Sequence, residues 1–209
     1  MKKYLYACLI FTAMAFVLAS CVSSMPKVNR VSADTQIDLS GRWNDVDVRM
    51  VCESLINDCL ASPRVAQFIR DYTSRHNGIL PAVVVGNFRN ESSEHIDTGI
   101  ITAIMESTIV NSGRLDFVAG GDTRAEIRTE RQEQQVHASE ATASALGYET
   151  GAALILTGSV RSIIDRAGNT TVRSYFVNAE LTGIETNARL WMGNNNDIKK
   201  VIRQPNARF

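Results

Sequence analysis

The sequence predicts an α/β domain whose mixed sheet combines a βαβ unit with an antiparallel C-terminal meander and is flanked by helices. The first observation is the stretch 81–119, where an apolar β-branched run, a helical pattern and a second short apolar run follow one another. Strands joined by a helix through short links are expected to be parallel neighbours. The second observation is the stretch 154–193, where apolar and polar residues alternate and turn signals interrupt the pattern, as in antiparallel strands.

The βαβ unit begins at 82–85, an apolar run that is too short for a helix and is typical of a strand buried on both faces. Ser92 or Ser93 is placed to cap the following helix, and Gly113 is placed to end it. Residues 115–118 are predicted as the second strand. The helix has a predicted apolar face of Ile96, Ile100, Ile101, Ile104, Met105 and Ile109.

Two helices are predicted before this unit. Asn44 or Asp45 is a suitable N-cap for the first, and Pro63 suits the first turn of the second, which is expected to stop near Gly78. The first helix has an apolar stripe of Val48, Val51, Cys52, Leu55, Ile56 and Cys59. The two cysteines of this stripe would have Cα atoms about 10 Å apart along a helix, so they are expected to be buried side chains without a disulfide.

A charged helix is predicted after the second strand, from a capping box of Thr123 and Glu126 to about Val136. Its charges are divided between two opposite faces, with Arg124, Arg128 and Arg131 on one and Glu126, Glu130 and Glu133 on the other. No opposite charges lie three or four residues apart, so they cannot pair within the helix. Two interpretations follow: the two charged faces form ion pairs with other charges of the domain, or the arginine face (the arginine stripe) binds a protein partner.

Residues 139–149 are predicted as a further, alanine-rich helix. Three strands, at 154–165, 172–184 and 188–193, are then predicted to form the meander. The polar tail from Asn194 is expected to fray.

The N-terminus is predicted to be a lipoprotein leader. Residues 1–20 contain two lysines and an apolar run that is short for a membrane span, and they end in Leu-Ala-Ser before Cys21, as in a bacterial lipobox. Cys21 is the predicted lipidation site, and two or more acyl chains would anchor it stably to a membrane. An ordinary signal peptide with an incidental cysteine is the alternative. Val22 favours the outer membrane, residues 21–40 are interpreted as a tether, and 41–209 as a single globular domain.

No catalytic chemistry is predicted. The sequence contains no phosphate-binding loop, dinucleotide-binding glycine turn, zinc-protease motif or nucleophile elbow. Its three histidines are far apart, so the chain is interpreted as a non-enzyme with no catalytic residue, cofactor, metal ion or small-molecule substrate. Without the leader, 20 basic residues face 22 acidic ones, a balance that does not indicate nucleic-acid binding.

Four segments resemble the LpoB family: Ser-Gly-Arg-Trp-Asn-Asp-Val-Asp at 40–47, Val-Gly-Asn-Phe-Arg-Asn-Glu-Ser-Ser-Glu-His-Ile-Asp at 85–97, Asn-Ser-Gly-Arg-Leu-Asp-Phe-Val at 111–118 and Glu-Ile-Arg-Thr-Glu-Arg-Gln at 126–132. The resemblance extends over about 38–193. It implies a core similar to the TolB N-terminal domain and a lipoprotein that activates a class A penicillin-binding protein from the outer membrane, facing the periplasm. The tether is shorter than the long Pro-rich linkers of some members.

Two other classes of function remain open at this point. An envelope-assembly or secretion component of the CsgG type shares a related α/β core, and it would form a large ring, whereas an activator is expected to be a monomer. A small-ligand sensor would need a cleft at the carboxyl ends of the strands, for which the sequence contains no cofactor fingerprint.

Overall fold

The computed structural model describes residues 28–32 and 35–204. The chain divides into two compact units, at residues 1–35 and 36–209, and the described part of the first contains no helix or strand. The elements of the second are, in order, α1 (Asp45–Ala61), α2 (Pro63–Arg75), β1 (Ala82–Asn90), α3 (Thr98–Ser112), β2 (Asp116–Phe117), α4 (Gly121–His137), β3 (Leu154–Ala167), β4 (Thr170–Gly183), β5 (Arg189–Asn195) and β6 (Lys199–Arg203).

The sheet is mixed, as predicted. Its order is β2-β1-β3-β4-β5, with β1 parallel to both β2 and β3, and with β3, β4 and β5 antiparallel. Strand β4 is long enough to take two partners along one edge. Its residues 170–174 pair with β6, and its residues 177–182 pair with β5. The predicted βαβ unit and meander are therefore confirmed.

One hydrophobic core lies between one face of the sheet and helices α1, α2 and α3. All six residues of the predicted α1 stripe are buried in it. Asn44 is the N-cap of α1: its side chain accepts a hydrogen bond from the Asp47 backbone N–H, and the Asp47 carboxylate accepts one from the backbone N–H of Asn44. Cys52 and Cys59 are free and buried, and burial raises the pKa of each thiol to about 12.

The predicted start of α3 was wrong. Ser92 does not cap a helix, because the Asn90 side chain holds it in a turn by accepting hydrogen bonds from both its backbone N–H and its hydroxyl. The N-cap is Asp97, whose carboxylate accepts from Gly99 N at 2.9 Å. Ile96 is buried before the helix begins, and Ile100 is exposed. Gly113 ends the helix with φ 62°, as predicted.

Three further expectations were wrong. Thr123 and Glu126 form no capping box, because α4 begins at Gly121 and its first helical hydrogen bond runs from Arg124 N to Gly120 O. Residues 139–149 form turns, because they bury no apolar face that would favour a helix. The tail does not fray at Asn194, because β6 pairs with β4 and the backbone N–H of Tyr175 donates to Ile198 O.

Lys200, on β6, holds the segment that precedes α1 against the sheet. Its Nζ lies 2.6 Å from Asp38 Oδ1, 2.6 Å from Asp47 Oδ2 and 2.9 Å from Arg42 O. Burial alone would lower the pKa of Lys200, but its hydrogen bonds to Asp38 and Asp47 outweigh that effect and raise the pKa. The residues 36–40, which the sequence assigned to the tether, thus contact the domain through Asp38.

Gly41 shows how closely this segment approaches β6. Its φ is +64°, and a Cβ there would lie 2.3 Å from Ile202 Cγ1. Both the backbone conformation and the contact therefore require glycine.

We predict that Lys200→Met destabilises the domain. The side chains of Lys200 and Asp47 are only 9% and 4% exposed, so the substitution leaves a buried carboxylate without its cation. Breaking a buried pair costs about 3–5 kcal/mol, and we expect the lower end or less because the Asp38 side chain is 34% exposed. Denaturant unfolding measures the loss. In the wild type this contribution is present below about pH 10 and is lost as pH rises through the raised pKa.

Lys199→Met is the matched control, because Lys199 is the exposed neighbour on the same strand. Equal stability of the two variants would contradict the role of Lys200.

Candidate functional site

The sheet face turned away from α1, α2 and α3 has no helix packed across it in residues 36–204. Strand alternation places one set of side chains there, opposite the buried set. We call this surface the open face. Its residues include Val84, Ile155, Thr157, Arg161, Ile163, Phe176, Asn178, Glu180 and Met192.

Apolar side chains project from the open face. Ile163 is 61% exposed, Met192 52% and Phe176 38%. Two shallow cavities of about 590 and 650 Å³ lie on this face, and both are bordered by Asn178 and Met192. Exposed aromatic and methionine side chains beside concave surface are typical of protein-binding sites.

Ion pairs surround these apolar residues. Arg161 Nε lies 2.6 Å from Glu91 Oε2, and Arg89 Nε lies 3.5 Å from Glu91 Oε1. On the other side, Arg189 Nε lies 3.2 Å from Glu180 Oε2. Pairs of this kind at the surface contribute little to stability, but charges at a rim orient a partner. The open face therefore has the apolar centre and charged rim of an interaction surface.

A buried carboxylate, Glu94, supports the loop between β1 and α3. It forms an ion pair with Arg173, accepts a 2.9 Å hydrogen bond from the Tyr175 hydroxyl and accepts one from the backbone N–H of Trp43. The ring centroids of Trp43 and Tyr175 are 5.2 Å apart. We call Glu94, Arg173, Tyr175 and Trp43 the Glu94 cluster. Burial, reinforced by the hydrogen bond to Glu94, raises the pKa of Tyr175 to about 12, so its hydroxyl stays a donor.

The arginine stripe of α4 contacts a residue beyond the helix. Arg128 forms two hydrogen bonds to the Glu149 carboxylate, at 2.8 and 3.0 Å, and Arg131 Nη1 lies 3.4 Å from the same group. Arg124 Nε donates to Ala119 O at 2.8 Å. The hydrogen bond from Arg128 is the largest cause that lowers the pKa of Glu149. Two of the three arginines thus meet a charge of the domain itself.

Several remaining expectations concern the rest of the chain. Cys21 lies outside the described residues. In the described part of the chain, no helix is long and apolar enough to cross a membrane. Within the same residues, no group of three or more His, Cys, Asp or Glu could hold a metal ion. The geometry of the described domain thus offers one candidate interaction surface, the open face, with exposed apolar side chains and ion pairs around them.

The family of the chain follows from residues 47–196, which match the family described as the peptidoglycan-synthase activator LpoB. The match covers well over half of the sequence, so the chain belongs to the LpoB family. The fold is of the α/β class, and membership of this family makes the chain an activator of peptidoglycan synthesis. No curated protein matches the chain.

Three of the solved structures that match the chain are distant relatives in sequence. The LpoB C-terminal domain from Salmonella enterica is 15% identical, covers 76% of this chain and 99% of its own, and has a TM-score of 0.42. The E. coli LpoB NMR structure is 14% identical over 88% of this chain and 86% of its own, with a TM-score of 0.38. Lipoprotein GNA1162 from Neisseria meningitidis is 15% identical, covers 61% of this chain and 88% of its own, and has a TM-score of 0.36.

The sequence interpretation singled out the arginine stripe but not the open face. A signal was present, because Ile163 and Phe176 occupy positions whose neighbours in the same phase of their strands are polar. A large apolar residue in the solvent phase of a strand is unfavourable unless something covers it. The partner of Arg128 had no such signal, since Glu149 lies 21 residues away in a loop.

Proposed function

We propose that this protein is a lipid-anchored activator of a class A penicillin-binding protein, held at the outer membrane by Cys21 and facing the periplasm. The observation that carries the proposal is the open face of a chain in the LpoB family. It would dock onto the synthase with its apolar centre and stimulate peptidoglycan synthesis by contact, without chemistry of its own. The protein would act as a monomer.

The exposed apolar residues of the open face support this docking mode. Phe176 and Met192 lie on neighbouring strands of a continuous sheet, so their backbone positions are rigid before a partner arrives. An aromatic side chain has few rotatable bonds and loses little conformational entropy on binding, while a methionine side chain adapts to the shape of the partner. A few interface residues usually supply most of the affinity. The ion pairs at the rim can open toward charges of the synthase, since all their arginines are largely exposed.

The arginine stripe is proposed as a second contact. Arg128 is still 58% exposed beside Glu149, so its guanidinium can meet an acidic group of the synthase. Helix α4 has no fully buried residue, which leaves much of its surface accessible to a partner. The internal pairing with Glu149 competes with this contact.

Replacing Cys21 with Ser is expected to abolish lipid attachment, because no thiol remains to receive the diacylglyceryl group. The precursor should accumulate at its larger size and incorporate no labelled fatty acid. Cys8→Ser, in the same leader, is the matched control and should be labelled normally. Normal labelling of the Cys21→Ser protein would refute the lipoprotein assignment.

Phe176→Ala combined with Met192→Ala is expected to weaken binding to a purified class A penicillin-binding protein by about tenfold or more. Truncating a central interface residue typically costs about 2 kcal/mol, and each 1.4 kcal/mol is tenfold. Stimulation of glycan polymerisation should fall at the same protein concentration. Both binding and polymerisation are measured, with thermal melting as a check on folding.

The matched control for this variant is Ile79→Ala with Val110→Ala, which removes apolar side chains that are at least as exposed but lie away from the open face. If the control weakens binding and the open-face variant does not, the docking surface lies on the helical side of the domain.

Two variants test the arginine stripe, one expected to weaken binding to the synthase and one expected to strengthen it. Arg124→Glu with Arg128→Glu should weaken binding, whereas Glu149→Gln should strengthen it by releasing Arg128 and Arg131. Both effects should shrink as salt rises, because exposed charges are screened beyond about 10 Å at 0.1 M. Glu126→Gln with Glu130→Gln, on the opposite face, is the control. Unchanged affinity in folded stripe variants would assign these arginines to the domain alone.

A further inference from the structure

A polar cavity of about 570 Å³ lies at the end of the sheet, away from the open-face cavities. The turn between β3 and β4 borders it on one side, and Gln204 and the segment that precedes α1 border it on the other. Three of its lining residues are arginines: Arg42, Arg166 and Arg173. No acidic residue of the described chain lines the cavity, and because Glu94 pairs with Arg173, the unpaired positive charge is that of Arg42 and Arg166.

Two of these guanidinium groups have no partner within residues 28–32 and 35–204. Arg42 and Arg166 are both exposed, and neither side chain makes an ion pair or a hydrogen bond there. This differs from the rim of the open face, where Arg161 and Arg189 each have a carboxylate within 3.2 Å. Two unpaired cations that share one concave surface repel each other unless an anion lies between them.

The third arginine is built into the fold. Arg173 is 12% exposed, and Glu94 binds its Nη1, but its buried Nε has no hydrogen-bond partner. That nitrogen has almost no accessible surface, so Arg173 borders the cavity through its other atoms, which Glu94 holds in place. The hydroxyls of Ser40 and Thr171 add neutral donors to the same cavity.

We propose that this cavity binds an oxyanion, a carboxylate or phosphate group of a small ligand, between Arg42 and Arg166 and against Arg173. Guanidinium groups bind both kinds of anion through paired N–H donors. The cavity volume exceeds that of a bare ion, so the anionic group would belong to a larger molecule, such as the C-terminus of a peptide or a phosphate ester. The site is separate from the proposed docking function and needs no synthase.

The test uses the full-length protein, purified in detergent, and follows the backbone amide resonances of Gly168 and Thr171 at constant ionic strength. The probes are inorganic phosphate, a dipeptide with a free C-terminal carboxylate, and the same dipeptide amidated. We expect saturable shifts with phosphate, the free dipeptide or both, and none with the amidated dipeptide. Shifts with the free dipeptide alone would identify a peptide terminus as the ligand, and shifts with phosphate alone a phosphorylated one.

Arg42→Gln with Arg166→Gln should weaken the binding at least tenfold. Arg64→Gln with Arg70→Gln, two exposed arginines of α2, should leave it unchanged. Because both replaced side chains are exposed, the double variant should melt at the wild-type temperature. The absence of saturable shifts with both anions, or wild-type affinity in the Arg42 and Arg166 variant, would overturn the proposal.

Discussion

The buried carboxylate of Glu94 is the interaction on which the rest of the domain depends. It joins three distant parts of the chain: the turn before α1 through Trp43, the loop before α3 through its own backbone, and strand β4 through Arg173 and Tyr175. A charge buried at 8% exposure is tolerated only when it is paired and hydrogen-bonded. The segments that resemble the LpoB family, 40–47 and 85–97, therefore meet at a single ion.

Lys200 repeats this principle at the neighbouring edge, where it joins Asp38 and Asp47 to β6. Together the two buried ions fix residues 38–47 against β4 and β6. Three regions of the domain therefore have different roles. The helical side supplies the core, the two buried ions hold the segment before α1 against the sheet, and the open face stays exposed.

The sequence predicted those parts that depend on local pattern. The α1 stripe, the αL glycine at Gly113 and the two-residue alternation of β3 and β4 are visible in the order of residues alone. Features set by distant residues were missed. Strand β6 is largely polar and half-exposed. It is stabilised by pairing with the free edge of β4 and by the ion pairs of Lys200 with two carboxylates. The alanine-rich stretch 139–149 has good helical propensity but no apolar face to bury. The arginine stripe followed from helical period, while its partner Glu149 and the open face required the three-dimensional arrangement of the strands.

The most direct test is a photo-crosslinking measurement in intact cells. A photoreactive phenylalanine analogue replaces Met192 on the open face in one variant and Val110 on the exposed side of α3 in another, and the adducts are identified by mass spectrometry. Our account predicts that the Met192 position forms a covalent adduct with a class A penicillin-binding protein and that the Val110 position does not. Synthase adducts from Val110 alone, or Met192 adducts that contain no synthase, would contradict it.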